Sequence, residues 1–406
     1  MSSRFENIQM GPPIEVFALT AAYQADNFEQ KVNLGVGAYR TDKGTPWVLP
    51  VVRQVEKILA SDETLNKEYL PVLGNEKFCK AATSMLLGAD NQVLLENRAF
   101  GVQCLSGTGA LRVAAEFLCR QLNYKTYYYS APTWENHTLV FNNAGFAEGR
   151  SYRYWDPKER GLDLEGMLED LRAAPENSVI ILHACAHNPT GCDPTEEQWK
   201  KIADVIEEKK LFPLFDSAYQ GFASGDLEKD SWAVRYFVSR GFELFCTQSF
   251  AKNFGLYNER VGNLVVVLND SSFVLTTRSQ LTLIVRGMYS NPPSHGANIV
   301  AYVLNNQPLF DQWKDHIRTM SSRIIEMRNA LKTALEKLQT PGDWNHITSQ
   351  IGMFSYTGLN EQQSLHMVKK HHVYMLKSGR ISMCGLTPNN VHYVAEAINE
   401  TLSNVI

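Results

Sequence analysis

Short apolar runs alternate with longer amphipathic stretches through the middle of the chain. Such runs are rich in β-branched and aromatic residues, which is typical of buried strands. Because the intervening stretches have helical spacing, we predict an α/β fold with a largely parallel sheet covered on both faces. The predicted strands are Phe100–Cys104, Thr126–Tyr129, Val179–Leu182, Leu211–Phe215, Leu244–Thr247 and Leu264–Leu268.

Two helices can be predicted from their start signals. Residues 106–109, Ser-Gly-Thr-Gly, predict a turn, and residues 110–122 a helix. Thr195 follows a proline and precedes Gln198 by three positions, which is a capping-box signature for a helix that extends to about Lys210. Polar clusters directly follow several strands, where ligands bind parallel sheets.

The C-terminal part has a different pattern. Apolar side chains at helical spacing predict a long amphipathic helix, and the segment after Gly342 mixes short strands and helices. We therefore expect a large domain over residues 48–318 and a smaller α+β domain formed by 1–47, with an N-terminal arm, and 319–406. The helical positions are Met320, Ile324, Met327, Leu331 and Leu335.

Composition excludes several classes of protein. The 406 residues are 44% hydrophobic and 20% charged, with a net charge of −4, which is typical of a soluble globular chain without a nucleic-acid footprint. The apolar runs are too short for a membrane span. Residues 1–13 lack a signal-peptide core and the Arg-rich bias of a transit peptide, so we expect a cytoplasmic protein, with a processed organellar form as the alternative.

The seven cysteines are scattered and lie mostly in apolar runs, which favours buried reduced thiols. His183, Cys185 and His187 could place three metal ligands on one face of a strand. No second cluster completes such a site, and we predict no metal.

Two glycine-rich segments are similar to nucleotide-binding motifs, but neither matches such a motif completely. Both Gly107-Thr-Gly109 and Gly35-Val-Gly37 lack the third glycine of a dinucleotide fingerprint, and no P-loop motif occurs. A dehydrogenase is therefore disfavoured. A Ser-Gly-Thr-Gly segment that opens a helix can still bind one phosphate through backbone N–H groups.

The segment from Ser249 to Gly262 is the most informative. Lys252 follows a predicted buried strand, with a serine three residues before it and Arg260 eight after it. An isolated lysine is usually a solvated surface residue. Here the hydroxyl and the arginine could hold a phosphate, while an amine in an apolar, cationic pocket has a lowered pKa and can form a Schiff base.

This segment and six others resemble the aspartate aminotransferases of the cytosolic type, in the class I family of pyridoxal 5′-phosphate (PLP) enzymes. The resemblance extends from about Val32 to the C-terminus. The other segments are 33–40 (NLGVGAYR), 68–71 (EYLP), 129–137 (YSAPTWENH), 183–191 (HACAHNPTG), 215–221 (FDSAYQG) and 290–293 (SNPP).

The resemblance implies the type I fold of PLP-dependent transferases and a reversible ping-pong transfer of the amino group from L-aspartate to 2-oxoglutarate, giving oxaloacetate and L-glutamate. Lys252 resembles the Schiff-base lysine and proton shuttle, and Asp216 the partner of the pyridine nitrogen. Tyr219 and Asn188 resemble the pair that binds the phenolic oxygen of PLP. Trp134 resembles the aromatic residue stacked on the ring.

The remaining roles also come from the resemblance. His137 resembles the residue that orients the aspartate. Tyr69 resembles a residue that reaches the phosphate in the neighbouring subunit, which implies a homodimer with shared active sites. The expected phosphate ligands are Ser106, Gly107, Thr108, Ser249 and Arg260.

Two arginines are expected to select dicarboxylic substrates. Arg380 resembles the residue that binds the α-carboxylate, with Gly37 and Asn188 beside it, and Arg286 resembles the one that binds the distal carboxylate across the dimer. A planar guanidinium matches a carboxylate in two parallel hydrogen bonds. An isolated arginine would more often form a surface salt bridge.

Some positions depart from the family pattern. Ala251 replaces a serine found in several cytosolic relatives, and the stretch between Leu122 and Ser130 is shorter than in many of them.

Two other functions compete with this interpretation. One is a pseudoenzyme, which should have lost the lysine, the aspartate or the arginines. The other is a PLP enzyme with other substrates, such as an aromatic aminotransferase, a β-lyase or a racemase.

Overall fold

A seven-stranded mixed sheet forms the centre of the molecule. The computed structural model describes residues 3–405. The strands of the sheet are β2 (Ala99–Leu105), β3 (Thr126–Ala131), β4 (Glu148–Arg153), β7 (Val179–His183), β8 (Phe212–Ser217), β9 (Leu244–Ser249) and β10 (Val261–Val267). Their spatial order across the sheet is β2-β10-β9-β8-β7-β3-β4.

The sheet is largely parallel, as predicted. Only β10 runs against its neighbours β2 and β9, whereas β4, β3, β7, β8 and β9 pair in parallel. Every residue of β7, β9 and β10 is buried. Along β7, Val179 and Ile181 belong to one hydrophobic cluster and Ile180 and Leu182 to another, so both faces of the sheet are covered.

Helices cover the sheet and build the rest of the molecule. No helix within residues 3–405 is long and apolar enough to cross a membrane. The helices are α1 (Glu15–Ala25), α2 (Pro50–Ser61), α3 (Glu76–Leu87), α4 (Gln92–Leu95), α5 (Ser106–Arg120), α6 (Asn136–Ala144), α7 (Leu164–Arg172), α8 (Glu196–Glu208), α9 (Leu227–Ser239), α10 (Val274–Tyr289), α11 (His295–Leu304), α12 (Gln307–Lys337), α13 (Asn345–Ser349), α14 (Glu361–His371) and α15 (Val391–Asn404).

The predicted start of one helix was wrong and that of another is confirmed. Helix α5 begins at Ser106, so residues 106–109 form its first turn and not a separate turn. The cost of glycine in a helix applies to the interior, so glycine is tolerated in the first turn. At α8, the hydroxyl of Thr195 accepts from the N–H of Gln198 at 3.3 Å, and the Gln198 side chain accepts from the N–H of Thr195 at 2.8 Å, which confirms the capping box.

Four short strands and α12 organise the segments near both chain ends. The predicted long helix is confirmed, and its five apolar positions are all buried. Val32, near the N-terminus, pairs with Val373, near the C-terminus.

Helix α12 runs through the expected domain boundary at residue 318 without a break, and the division into domains stays a prediction. The short strands are β1 (Val32–Asn33), β11 (Phe354–Tyr356), β12 (Val373–Tyr374) and β13 (Arg380–Ser382), and β5 (Trp155–Asp156) pairs with β6 (Gly161–Leu162) elsewhere.

Candidate active site

A cleft of about 280 Å³ lies where the carboxyl ends of the parallel strands meet. Segments that follow β2, β3, β7, β8 and β9 all reach it, which is the position expected for a ligand in such a sheet. Most of the site residues expected from the sequence line this one cleft. They are Gly37, Ser106, Gly107, Thr108, Trp134, Asn188, Asp216, Tyr219, Ser249, Lys252, Arg260 and Arg380.

Lys252 lies in the turn after β9, with its amine over the face of the Tyr219 ring, 5.3 Å from the ring centroid. Burial lowers the pKa of Lys252, and the charge of Arg260 lowers it further, while the Asp216 carboxylate partly offsets both. A lysine with a lowered pKa presents more of its neutral, nucleophilic form at neutral pH. Lys252 is therefore suited to attack an aldehyde.

Asp216 occupies the penultimate position of β8 and faces the same cleft. Burial alone would raise its pKa, but a 2.9 Å hydrogen bond from Nε2 of His137 and the nearby charge of Lys252 hold the pKa below the ordinary value. Asp216 is therefore an ionised carboxylate, suited to pair with a protonated ring nitrogen.

A chain of hydrogen bonds leads to Asp216 from the segment after β7. The backbone N–H of Asn188 donates to Nδ1 of His183 at 3.1 Å. Burial lowers the pKa of His183 well below its usual value, so its ring is neutral and carries its hydrogen on Nε2. Nε2 then donates to Thr133 Oγ1 at 3.3 Å, and the Thr133 hydroxyl donates to Nδ1 of His137 at 2.8 Å. His137 is left with a hydrogen on Nε2, which points at Asp216.

The start of α5 and the turn after β9 form an anion-binding cradle. The hydroxyls of Ser106 and Ser249 lie 3.0 Å apart. A side chain at Gly262 would lie 2.4 Å from the Ser106 backbone, so glycine is needed there, and one at Gly107 would make a tight contact of 3.2 Å with Cβ of Ser249. The free N–H groups of a helix start, two hydroxyls and the nearby Arg260 suit a phosphate dianion.

Arg380 supplies a buried cation on the other side of the cleft. Its guanidinium donates to Asn188 Oδ1 at 3.3 Å and to the carbonyl of Gly35 at 3.0 Å, and it stacks 4.1 Å from the centroid of the Phe354 ring. Within residues 3–405 its Nε has no acceptor and no carboxylate pairs with it. Burial lowers its pKa to about 10. An unpaired buried guanidinium is a natural receptor for a carboxylate.

Three expected site residues lie outside the lining of the cleft. His137 is fully buried behind Asp216. Tyr69 is 82% exposed, and Arg286 is also exposed, with its side chain contacting Ser290 on the same helix end. The single chain therefore does not bring Tyr69 or Arg286 to the cleft.

The structure also brings residues to the site that were not predicted from the sequence. Val16, Cys185, Tyr257 and Phe354 line the cleft, and Thr133 completes the hydrogen-bond chain. Thr133 lies in the segment 129–137 and Cys185 in the segment 183–191. Both segments resemble the family, and this resemblance was the signal that could have identified the two residues. Val16 and Phe354 are ordinary apolar residues far from any motif, and only the fold places them here.

The two histidines of the 183–187 segment do not present free metal ligands. The His183 and His187 rings stack, with 4.1 Å between centroids. Nε2 of His187 lies 2.8 Å from the Ser130 hydroxyl and its Nδ1 2.7 Å from the Thr190 hydroxyl. Since both His183 nitrogens are also bonded, all four ring nitrogens have partners. The histidines support the loop that carries Asn188.

Comparison with known proteins agrees with this geometry. Residues 29–398 match the family model described as aminotransferase class I and II. The chain is 57% identical to the cytoplasmic aspartate aminotransferase of Gallus gallus, over 100% of this chain and 99% of that protein. The cytoplasmic aspartate aminotransferase of Saccharomyces cerevisiae is similar in structure, with a TM-score of 0.96 at 45% identity and 99% coverage of both chains.

A second similar structure contains the expected cofactor. The aromatic-amino-acid aminotransferase of Burkholderia pseudomallei, covalently bound to pyridoxal phosphate, matches with a TM-score of 0.96 at 37% identity. The match covers 99% of this chain and 100% of that one. From its sequence, its fold and the arrangement of its cleft, the chain belongs to the class I and II aminotransferases.

Proposed function

We propose that the chain is a PLP-dependent aspartate aminotransferase of the cytoplasm that acts as a homodimer. It transfers the amino group of L-aspartate to 2-oxoglutarate, giving oxaloacetate and L-glutamate in two half-reactions. One observation carries the proposal: a single cleft joins the amine of Lys252, the ionised carboxylate of Asp216 and the guanidinium of Arg380, which has no carboxylate partner among residues 3–405. The names of the similar aspartate aminotransferases support it.

The residues of the cleft fit PLP. The cradle of Ser106, Gly107, Thr108, Ser249 and Arg260 suits its phosphate, and Lys252 suits its aldehyde. PLP, when bound, supplies an electron sink that allows the Cα–H bond of an amino acid to be broken. Binding, orientation and proton transfer are carried out by side chains of the protein.

Lys252 and Asp216 have the central roles. Lys252 would hold the aldehyde end of the cofactor, and its amine would move the proton at Cα of the substrate. Asp216 would keep a proton on the ring nitrogen, because a nearby ionised carboxylate stabilises the cationic form. His137 holds the carboxylate of Asp216 in this orientation through its 2.9 Å hydrogen bond.

Three further side chains position the ring of the cofactor. Tyr219 and Asn188 line the cleft between Lys252 and Arg380, where they suit the phenolic oxygen. Burial raises the pKa of Tyr219, which keeps its hydroxyl a hydrogen-bond donor. Trp134 lies in the segment after β3 and provides an aromatic surface for stacking.

The substrate carboxylates are bound by two arginines from different chains. Arg380, beside Asn188 and Gly37, binds the α-carboxylate. Arg286 and Tyr69 are exposed in the single chain, so they are free to reach the cleft of a partner subunit, where Arg286 binds the distal carboxylate and Tyr69 the phosphate. We also propose that residues 48–318 form the cofactor domain, and that 1–47 and 319–406 form the small domain that supplies Gly37 and Arg380.

Substrate preference tests the function. We expect kcat/KM for aspartate to exceed that for alanine by about 10³-fold or more, because alanine leaves the distal arginine unpaired. Tyrosine is the second comparison, since one similar protein is named an aromatic-amino-acid aminotransferase. Equal rates with aspartate, alanine and tyrosine, measured with 2-oxoglutarate as acceptor, would contradict the proposed specificity.

A further inference from the structure

A cluster of metal-ligating side chains lies between the last two helices, away from the cleft. His366 and His371 of α14 both direct Nε2 at Oε2 of Glu400 on α15, at 3.1 Å and 2.7 Å. The three candidate ligand atoms lie within 4.8 Å of one another. None of the three residues lines the cleft.

The spacing of the two histidines would not bring them together on a regular helix. They are five positions apart, so on an ideal helix their directions differ by about 140°. His371 is the last residue of α14, and His372 turns the chain with a φ of 53°. The end of the helix lets the His371 ring swing toward His366, and the ring centroids are 5.6 Å apart.

The carboxylate of Glu400 is already oriented for one-oxygen coordination. Its Oε1 accepts hydrogen bonds from Lys370 and from Nδ2 of Asn404, the latter at 3.0 Å. Oε2 is the oxygen presented to the two histidines. Partners that fix the orientation of a ligand are a regular feature of metal sites.

The distances are close to those of a zinc site. Bonds of about 2.0–2.1 Å in a tetrahedron separate neighbouring donor atoms by about 3.3–3.4 Å. The nitrogen-to-oxygen separations of 3.1 Å and 2.7 Å are shorter, the first by about 0.2–0.3 Å and the second by about 0.6–0.7 Å, so binding requires the His371 ring to move away from Glu400. All three side chains are partly exposed, with 25%, 15% and 29% of their surface accessible, so an ion can enter and the rings can move apart.

We propose that His366, His371 and Glu400 bind one divalent transition-metal ion, with zinc as the representative and water in the fourth position. Two imidazoles and one carboxylate are a ligand set that zinc accepts. On binding, each Nε2 gives up its hydrogen bond to Oε2 and presents its lone pair, with the ring hydrogen on Nδ1. The ion would tie α14 to α15. The positive charge of Lys370 opposes it and limits the affinity.

Calorimetric titration of the chelator-treated holoenzyme with Zn²⁺ tests this site. We compare wild type with His366→Gln, His371→Gln and Glu400→Gln. His392→Gln is the matched control, because His392 is an exposed histidine of α15 outside the cluster. Any zinc that binds elsewhere, at thiols or in the cleft, binds equally to all five proteins. A difference between the variants therefore reports on the cluster alone.

We expect one ion per chain to be bound in wild type and His392→Gln, with the affinity reduced at least about tenfold in each cluster variant. The melting temperature should rise with zinc in wild type and not in His366→Gln, a substitution that removes one donor and leaves Glu400 with its other partners. Turnover of the metal-free His366→Gln enzyme should match wild type. No wild-type binding, or equal binding by wild type and His366→Gln, would overturn the proposal and show a hydrogen-bonded cluster only.

Discussion

The hydroxyl of Thr133 lies 2.8 Å from Nδ1 of His137, on the side of the ring opposite Asp216. Because His183 donates to the same hydroxyl, the Thr133 hydrogen is available to His137. This fixes which nitrogen of His137 carries a hydrogen, and the hydrogen points at the Asp216 carboxylate. The chain starts at the backbone of Asn188, whose side chain contacts Arg380. The substrate side and the ring-nitrogen side of the cleft are thus physically linked.

Removing the Thr133 hydroxyl should weaken the preference of His137 for the tautomer that donates to Asp216. We predict that Thr133→Val lowers kcat about tenfold, because His137 loses the donor that sets its tautomer, while KM for aspartate changes little. Thr133→Ser keeps the hydroxyl and is the matched control, with near-wild-type kcat. If the valine and serine variants have the same kcat, the hydrogen-bond chain does not orient Asp216.

Neutralising Asp216 should affect chemistry more than cofactor binding. Asp216→Asn keeps the size of the side chain but cannot stabilise a protonated ring nitrogen. We predict a loss of about 10²–10³-fold in kcat, comparable to removing one preorganised electrostatic contact. The phosphate cradle is untouched, so the variant should still bind PLP. Steady-state kinetics and cofactor content are the measurements, and an unchanged kcat would remove Asp216 from the mechanism.

The pKa of Lys252 gives a pH prediction with a definite sign. The Arg260 charge lowers this pKa, so Arg260→Gln should raise it and shift the reaction of the amine to higher pH. Pyridoxal, which lacks the phosphate, is the probe, so that lost phosphate binding does not affect the result. The apoenzyme's rate of covalent reaction with pyridoxal should rise with pH, with a higher midpoint in Arg260→Gln. Arg172→Gln, at the end of α7, is the control and should not move the midpoint.

A positive charge alone should not be enough to replace Arg380 in binding the α-carboxylate. Arg380→Lys keeps a cation but loses the planar pair of donors and the stacking on Phe354. We predict a loss of about 2–4 kcal/mol in kcat/KM for aspartate, or about 30- to 1,000-fold. The spectrum of bound cofactor should remain as in wild type. A lysine variant with wild-type kcat/KM would show that Arg380 does not bind the α-carboxylate.

The shared-site proposal can be tested by mixing two defective chains. Lys252→Ala lacks the amine, and Arg286→Asp lacks the distal cation. If Arg286 acts across a dimer, each hybrid has one intact site, so equal mixing should restore about a quarter of wild-type activity. Lys252→Ala mixed with Asp216→Asn is the control, since both residues belong to one cleft of one chain and no hybrid has an intact site. Equal activity of both mixtures would refute the shared site.

Much of the large sheet was predictable because six of its seven strands contain short apolar or aromatic runs. The seventh, β4, is polar and mostly exposed, and it was not predicted. All six predicted strands occur, within a few residues of the expected ends. The polar residues after them meet at one edge for a topological reason that the sequence pattern already implies. Helix α5 was predicted to begin at Ala110 because glycine and serine usually mark turns, whereas the structure uses them as the first turn of a helix.

The rest of the site depended on contacts that are far apart in sequence. Phe354 lies under Arg380, and Val16 of α1 reaches the cleft, but neither belongs to a recognisable motif. The convergence of His366, His371 and Glu400 depends on how α14 ends and where α15 packs, which no local spacing encodes. Thr133 was visible in sequence, but its role depends on the directions of four hydrogen bonds.

The most direct measurement is an absorbance scan of the purified PLP-bound protein before and after addition of aspartate alone. The visible band of the cofactor bound to Lys252 should convert to the near-ultraviolet band of its aminated form, because the first half-reaction needs no oxo acid. Addition of 2-oxoglutarate should then restore the visible band. A cofactor band that aspartate leaves unchanged would contradict the proposed substrate, and a protein that shows no band after reconstitution with PLP would contradict the role of Lys252.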